Sequence, residues 1–333
     1  MKIRTLTAVL TSLALGMTLS ACSGDAPDPQ SADSNSLTQL NVGTVGIGSD
    51  AAITTAIEQG FFAEEGLAVT TSVVANPPAG ISAAQSGQLD LTYTPSIPLI
   101  NALSQNVGLR VIAAADGYSA DALENAEPEK VDDTGLFVQP DSAITSPKDL
   151  AGKTVAVPAR KAQIEVTVAS MVLEDGGDPD TINWMVLDPA SSLQSLQQGR
   201  VDAAGLVAPF TSNAMAQGMD LLGSPGLEFF GPGAVGLWVS GAQLADAEPE
   251  VMEAFQRAIY RANAYANENL DEMDELAAQI TGVDIETIRQ GAESYWPASV
   301  ELADLTQVDA QLVELGYLPQ EVGIDESIIF SAR

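Results

Sequence analysis

Residues 76–94 read NPPAGISAAQSGQLDLTYT, and residues 188–206 read DPASSLQSLQQGRVDAAGL. The two stretches lie 112 positions apart and follow one plan. Each opens with Asn or Asp before Pro (Asn76-Pro77, Asp188-Pro189), a helix-start signal. Each helix is closed by Gly, at Gly87 and at Gly199. A Gly-x-hydrophobic-Asp step, Gly87-Gln88-Leu89-Asp90 or Gly199-Arg200-Val201-Asp202, then leads into a short apolar run that reads as a strand. A helix–strand unit that occurs twice predicts two α/β lobes built alike.

Reading outward completes both lobes. In the first, a strand from Leu40 runs into the Gly-rich turn Gly46-Ile47-Gly48-Ser49-Asp50. A helix follows from Ala51 to Gln59, stopped by Gly60, and a second strand covers Ala68 to Ala75. Beyond Leu89 to Thr94 come a helix from Ile97 to Gln105 and a strand from Leu109 to Ala115. In the second, the strand Thr154 to Val157 leads through Pro158-Ala159-Arg160-Lys161 to a helix from Ala162 to Leu173. Strands at Thr181 to Leu187 and Ala203 to Val207 complete it, and Ser49 falls opposite Lys161. Strands alternating with helices predict, in each lobe, a doubly wound, mostly parallel sheet.

After a strand at Ala234 to Ser240 the chain reads as helical, with Val251, Phe255, Ile259, Ala262 and Ala266 on one face. This tail is expected to return to the first lobe. The organisation expected is therefore lobe I over 40–140, lobe II over 141–231, and the second part of lobe I over 232–333. Two crossings between lobes make a hinge.

The N-terminus predicts export. Lys2 and Arg4 precede an apolar stretch from Leu6 to Leu19, too short to cross a bilayer, followed by small residues. Residues 1–21 read as a signal peptide. Cys22 is the single Cys of the chain and stands in Leu19-Ser20-Ala21-Cys22, which resembles a bacterial lipobox. Cys22 is expected to carry lipid, which holds a protein at the membrane surface. Residues 22–39 are rich in Ser, Asp, Pro, Gln and Asn and read as a flexible tether. The location expected is extracytoplasmic, at the outer face of the plasma membrane or in the periplasm.

Composition excludes several functions. The chain has no His, so a His triad, a His general base and a His metal ligand are impossible. One Cys excludes an internal disulfide. A formal charge of −32 opposes nucleic acid and anionic lipid headgroups. The turn Gly46-x-Gly48 lacks the third Gly of a dinucleotide fingerprint, and no cofactor is expected. A monomer is expected.

The chain resembles the type II solute-binding proteins of the nitrate, sulfonate, taurine and thiamine-precursor group. The resemblance lies in EQGFFAEEGL at 58–67, SGQLDL at 86–91, SPKDLAGKTVAV at 146–157, QGRVDAA at 198–204 and APF at 208–210. It implies a two-lobed type II periplasmic-binding-protein fold. It also implies a non-enzymatic role, the binding component of an ABC importer, with the permease as partner. The ligand implied is a small organic nutrient: an anion such as a sulfonate or carboxylate, or a pyrimidine-like heterocycle. Where the family often carries a Gly-Ser or Gly-Ser/Thr pair that holds an oxyanion, this chain has Ala159-Arg160-Lys161-Ala162. Two other functions suit the same scaffold: an enzyme using carboxylates, and a ligand-sensing surface lipoprotein.

Ligands of open parallel sheets bind beyond the carboxyl ends of the strands. The candidates are therefore Gly48, Ser49, Asn76, Thr94 and Ser96 from lobe I, and Arg160, Lys161, Asp188 and Phe210 with Pro209 from lobe II. Arg160 and Lys161 precede a helix N-terminus and suit an anion. Asp188 suits a ligand amine or Arg160. Ser49, Thr94 and Ser96 offer hydroxyls, and Phe210 and Trp238 offer ring faces. Asp116 and Tyr118, after the fourth strand, are weaker candidates.

Overall fold

The computed structural model describes residues 37–124 and 127–331. Cys22 and most of the expected tether lie outside them. The first lobe contains β1 (Thr38–Thr44), α1 (Ala51–Glu58), α2 (Phe61–Glu64), β2 (Leu67–Val73), α3 (Pro77–Gln85), β3 (Leu91–Pro95), α4 (Ser96–Ser104) and β4 (Leu109–Tyr118). The chain then crosses to β5 (Thr134–Val138), β6 (Thr154–Val157), α5 (Gln163–Glu174), β7 (Asn183–Val186), α6 (Pro189–Gln197), β8 (Ala203–Val207), α7 (Phe210–Ala216), β9 (Asp220–Gly223) and α8 (Pro225–Phe230). It returns through β10 (Gly233–Gly241) to α9 (Ala242–Ala247), α10 (Pro249–Glu268), α11 (Leu270–Thr281), α12 (Ile285–Gln290) and α13 (Leu302–Glu314).

Two five-stranded sheets result, in the orders β2-β1-β3-β10-β4 and β7-β6-β8-β5-β9. In each, three neighbouring strands are parallel and the fourth position is antiparallel: β10 lies between β3 and β4, and β5 between β8 and β9. Each antiparallel strand is the first that the chain enters after a crossing. A short crossing leaves one sheet and enters the other at the same crevice end, so the entering strand must run away from the crevice.

Two expected boundaries are corrected. Lobe II begins with β5 at Thr134, not at 141, because residues 134–138 pair with β8. Thr38 and Gln39, assigned to the tether, pair with Leu67 and Ala68 in the first sheet.

The internal repeat has a physical basis. Asn76 and Asp188 are side-chain N-caps, accepting the N–H of Ala79 and of Ser191 at 3.0 Å each. Gly87 and Gly199 follow the helices with φ of 74° and 63°, a left-handed turn that favours glycine. Asp90 then accepts the N–H of Asn41 at 2.7 Å, and Asp202 that of Thr154 at 2.8 Å. The motif's Asp therefore clamps each third strand to the central one, at mid-strand in β1 and at the start of β6. Val42 pairs with Leu91 as Val155 pairs with Ala203, so the central strands are offset by 113 and the third strands by 112. Lobe II is one residue shorter between its second strand and the following helix.

The tail covers lobe I. The apolar face of α10 buries Met252, Phe255, Ala258, Ile259, Ala262 and Ala266, with Val251 partly buried at its edge. Phe255 stacks on Phe62 with ring centres 5.2 Å apart. Burying a side chain of this kind stabilises by about 1.5–3 kcal/mol. Another apolar cluster joins the lobes beside the crossings, uniting Ile97 and Ile100 of α4, Val166 of α5, Leu227 and Phe229 of α8, and Val308 and Leu312 of α13.

Candidate functional site

The crevice ends of β1, β3 and β4 face those of β6 and β8. On the lobe I side, the loop after β1 is folded back by Asp50, whose carboxylate accepts Gly46 N–H at 2.8 Å and Ile47 N–H at 3.2 Å. Asp50 is buried, and burial pushes its pKa up to about 6 against the pull of those two N–H groups. The turn presents Ser49, whose hydroxyl donates to Asp116 Oδ2 at 2.6 Å. Trp296 Nε1 donates to Ser49 O at 2.9 Å, fixing the turn from the tail side.

Asp116 is the centre of this wall. Besides Ser49 it accepts from the Tyr93 hydroxyl and from the Gly236 N–H, and burial raises its pKa. The pairing of β10 with β4 slips on both sides of Gly236, which lies opposite Asp116. A Cβ at Gly236 would overlap the Asp116 carboxylate and crowd the Tyr93 ring. Glycine therefore makes the room in which this carboxylate sits.

Asp133 enters from the other side, directly before β5. Its carbonyl accepts Ala208 N–H at 2.7 Å, next to the cis Ala208–Pro209 peptide. The side chain reaches solvent, yet it is so ringed by protein that burial is the first cause of a pKa pushed up to about 7. Asp132 and Asp116 add to it by repulsion. Burial is the main cause of both raised pKa values; Asp116 adds to that of Asp133 by repulsion across the crevice, while two hydroxyls and a backbone N–H pull that of Asp116 down.

The residues expected at the site are distributed unevenly. Ser49 belongs to this wall, and the weaker candidate Asp116 is its centre. Gly48 faces α11, where an added Cβ would meet Ala277. Asn76 and Asp188 are exposed N-caps, and the bonds from Ser191 lower the Asp188 pKa. Thr94 is buried and donates to Pro95 O at 3.0 Å. Ser96 is buried with no partner for its hydroxyl among the described residues. Trp238 lies in the core between Tyr93 and Phe255, so its ring offers no free face. Phe210 starts α7 half-buried against the lobe II core. Arg160 is ion-paired with Glu165, and the Lys161 side chain is exposed.

Tyr118 lies at the first crossing, away from the Asp116 wall. Its hydroxyl donates to Asp132 Oδ1 at 2.8 Å. Thr134 N–H and Oγ1 donate to the same oxygen, and Leu227 N–H donates to Oδ2 at 2.8 Å. One carboxylate thus ties the first crossing to the second.

Sequence reasoning missed Asp50, Tyr93 and Asp133. A signal for Asp133 was present: Asp132-Asp133 immediately precedes the apolar run Thr134-Gly135-Leu136-Phe137-Val138. Among the described residues no group of three or more acidic, Cys or His side chains is arranged to hold a metal ion. No helix among them is long and apolar enough to cross a membrane.

Comparison with known proteins places this geometry. The family model described as NMT1/THI5 like matches residues 49–273. The taurine-binding periplasmic protein of Escherichia coli (strain K12) is 27% identical over 178 residues, 54% of this chain and 51% of that protein. The chain thus spans about half the length of that curated relative. The crystal structure of the periplasmic aliphatic sulphonate-binding protein of Escherichia coli superposes with a TM-score of 0.71 at 20% identity, covering 88% of this chain and 97% of that one. The alkanesulfonate-binding protein of Xanthomonas axonopodis pv. citri, bound to MOPS, gives 0.69 at 17% identity, covering 89% and 99%.

Proposed function

The chain belongs to the NMT1/THI5-like family, and from that membership we propose that it is the extracytoplasmic solute-binding component of an ABC importer. It captures a small organic molecule between its lobes and delivers it to the permease. The observation that carries this reading is the crevice itself. Two sheets of matching order direct their strand ends at each other, and polar groups from both sides converge there: Ser49, Tyr93 and Asp116 from one, Asp133 from the other. Two crossings beside them supply a hinge on which such lobes close.

The ligand presents N–H donors or a positive charge to Asp116 and Asp133. Of the classes expected, this favours the pyrimidine-like heterocycle, or an amine, over a plain sulfonate or carboxylate. A cation held between these two groups relieves their mutual repulsion and lowers both pKa values. The protein works as a monomer, held at the membrane surface through lipid on Cys22.

A thermal-shift and calorimetric screen of amines, aminopyrimidines, alkylsulfonates and carboxylates tests the reading. Amines or aminopyrimidines bind, and small-angle scattering shows a more compact particle with ligand than without. Asp116→Asn and Asp133→Asn each weaken binding by roughly tenfold or more, as expected for loss of a charge-assisted bond. Binding only of sulfonates, unchanged in both variants, refutes the ligand class. The lack of any ligand that compacts the particle refutes the transport reading.

A further inference from the structure

At the crevice end of β6 the protein binds one of its own carboxylates. Glu165 lies in the first turn of α5 and is 1% exposed. Its Oε2 accepts Arg160 Nε at 2.5 Å and Lys161 N–H at 2.9 Å. Its Oε1 accepts the second Arg160 bond at 3.4 Å and the Tyr317 hydroxyl at 3.1 Å. A guanidinium fork, a backbone N–H before a helix and a hydroxyl make up the usual equipment for a bound carboxylate, sulfonate or sulfate. Here the anion is built in.

We infer that Glu165 occupies an anion cradle at the lobe II strand end and sets specificity by keeping free oxyanions out of it. The inference rests on the proposed solute-binding role and refines it: the end of the ligand facing lobe II is not an oxyanion. Three features argue that the cradle is shaped around Glu165. First, Lys161 adopts a φ of 55°, a left-handed conformation unfavourable for a residue with a side chain, in the residue whose N–H reaches Glu165. Second, the donors come from separate parts of the chain, since Tyr317 follows α13 in the tail while Arg160 follows β6. Third, the charge is closed locally. The half-exposed Arg160 guanidinium is already paired with the buried Glu165 carboxylate, so an incoming anion finds its charge balanced and its inner donors taken. The cradle lies within an α-helical start of twelve residues, long enough for its N-terminal N–H groups to favour an anion once Glu165 is removed.

The test uses the whole mature protein with inorganic sulfate and ethanesulfonate as probes, titrated against chloride at matched ionic strength and followed by calorimetry and thermal shift. Glu165→Ala empties the cradle, and Glu165→Ser empties it while leaving a small hydroxyl for the buried donors, which protects the fold if alanine does not. Each variant with a cooperative melt gains saturable binding of a probe at least tenfold tighter than the parent's, and adding Arg160→Ala abolishes the gain. Folded variants that bind no better than the parent overturn the inference. So does a parent that already binds ethanesulfonate saturably and loses it on Arg160→Ala alone. The outcome is separable from the transport reading: a parent that closes on no ligand refutes that reading, whereas the gained anion binding is read in the variants alone.

Discussion

Replacing Asp132 with Asn tests whether one buried carboxylate holds the two crossings together. Asp132 is 1% exposed and takes four hydrogen bonds. The Tyr118 and Thr134 hydroxyls can each turn to accept instead of donate. The two backbone N–H groups cannot, and they reach different oxygens, Thr134 N–H at Oδ1 and Leu227 N–H at Oδ2. An Asn side chain has one acceptor oxygen and one donor NH2, so in either flip one buried backbone N–H faces another donor. That holds whether or not burial, which raises the Asp132 pKa, leaves a proton on the carboxyl. A buried donor without an acceptor costs about 1–3 kcal/mol, and weaker bonds to the remaining donors bring the total to roughly 2–4 kcal/mol. For a domain this large the melting temperature falls by about 4–8 °C. Tyr118→Phe, which removes one hydroxyl and leaves no N–H unpaired, costs only about 1 kcal/mol. Thermal melts give the magnitude, and hydrogen exchange at the Thr134 and Leu227 amides gives the place. If Asp132→Asn melts within about a degree of the parent and neither amide exchanges faster, the reasoning fails, since the stated penalty maps to several degrees.

Two other outcomes concern the buried acids of the crevice and the N-terminus. Asp50 and Asp133 keep protons in the folded protein up to about 6 and about 7, which the unfolded chain releases near 3.8. Their stabilising contribution is therefore full below 3.8 and is lost as pH rises through 6 to 7. The ligand-free protein melts higher at pH 5 than at pH 8, and Asp133→Asn reduces the difference; an unchanged difference in that variant counts against the raised pKa. At the N-terminus, Cys22→Ala moves the protein from the membrane to the soluble fraction, and retention in the membrane removes the case for the lipid anchor.

The sequence alone was enough for the repeated helix–strand plan, because its signals are local. Asn76-Pro77 and Asp188-Pro189 cap helices by bonding three residues ahead, and Gly87 and Gly199 adopt turns set by their own φ. The apolar stripe of α10 follows from helical periodicity, and the absence of His is a matter of composition. Tertiary structure decided the rest, because the deciding partners are distant in the chain. Thr134 to Val138 is a short apolar run with no periodicity to orient it, and only its pairing with β8 makes it the antiparallel entry strand of lobe II. Trp238 is as plausible in a cleft as in a core until Phe255, seventeen residues on, folds over it. The basic pair Arg160-Lys161 promised an anion site, and one helical turn later Glu165 fills it with help from Tyr317, more than 150 residues away. Asp116 and Asp133 are marked in the sequence only by their places beside apolar runs. A carboxylate's charge state depends on its burial and on what faces it, and both are settled only when two sheets meet across a crevice.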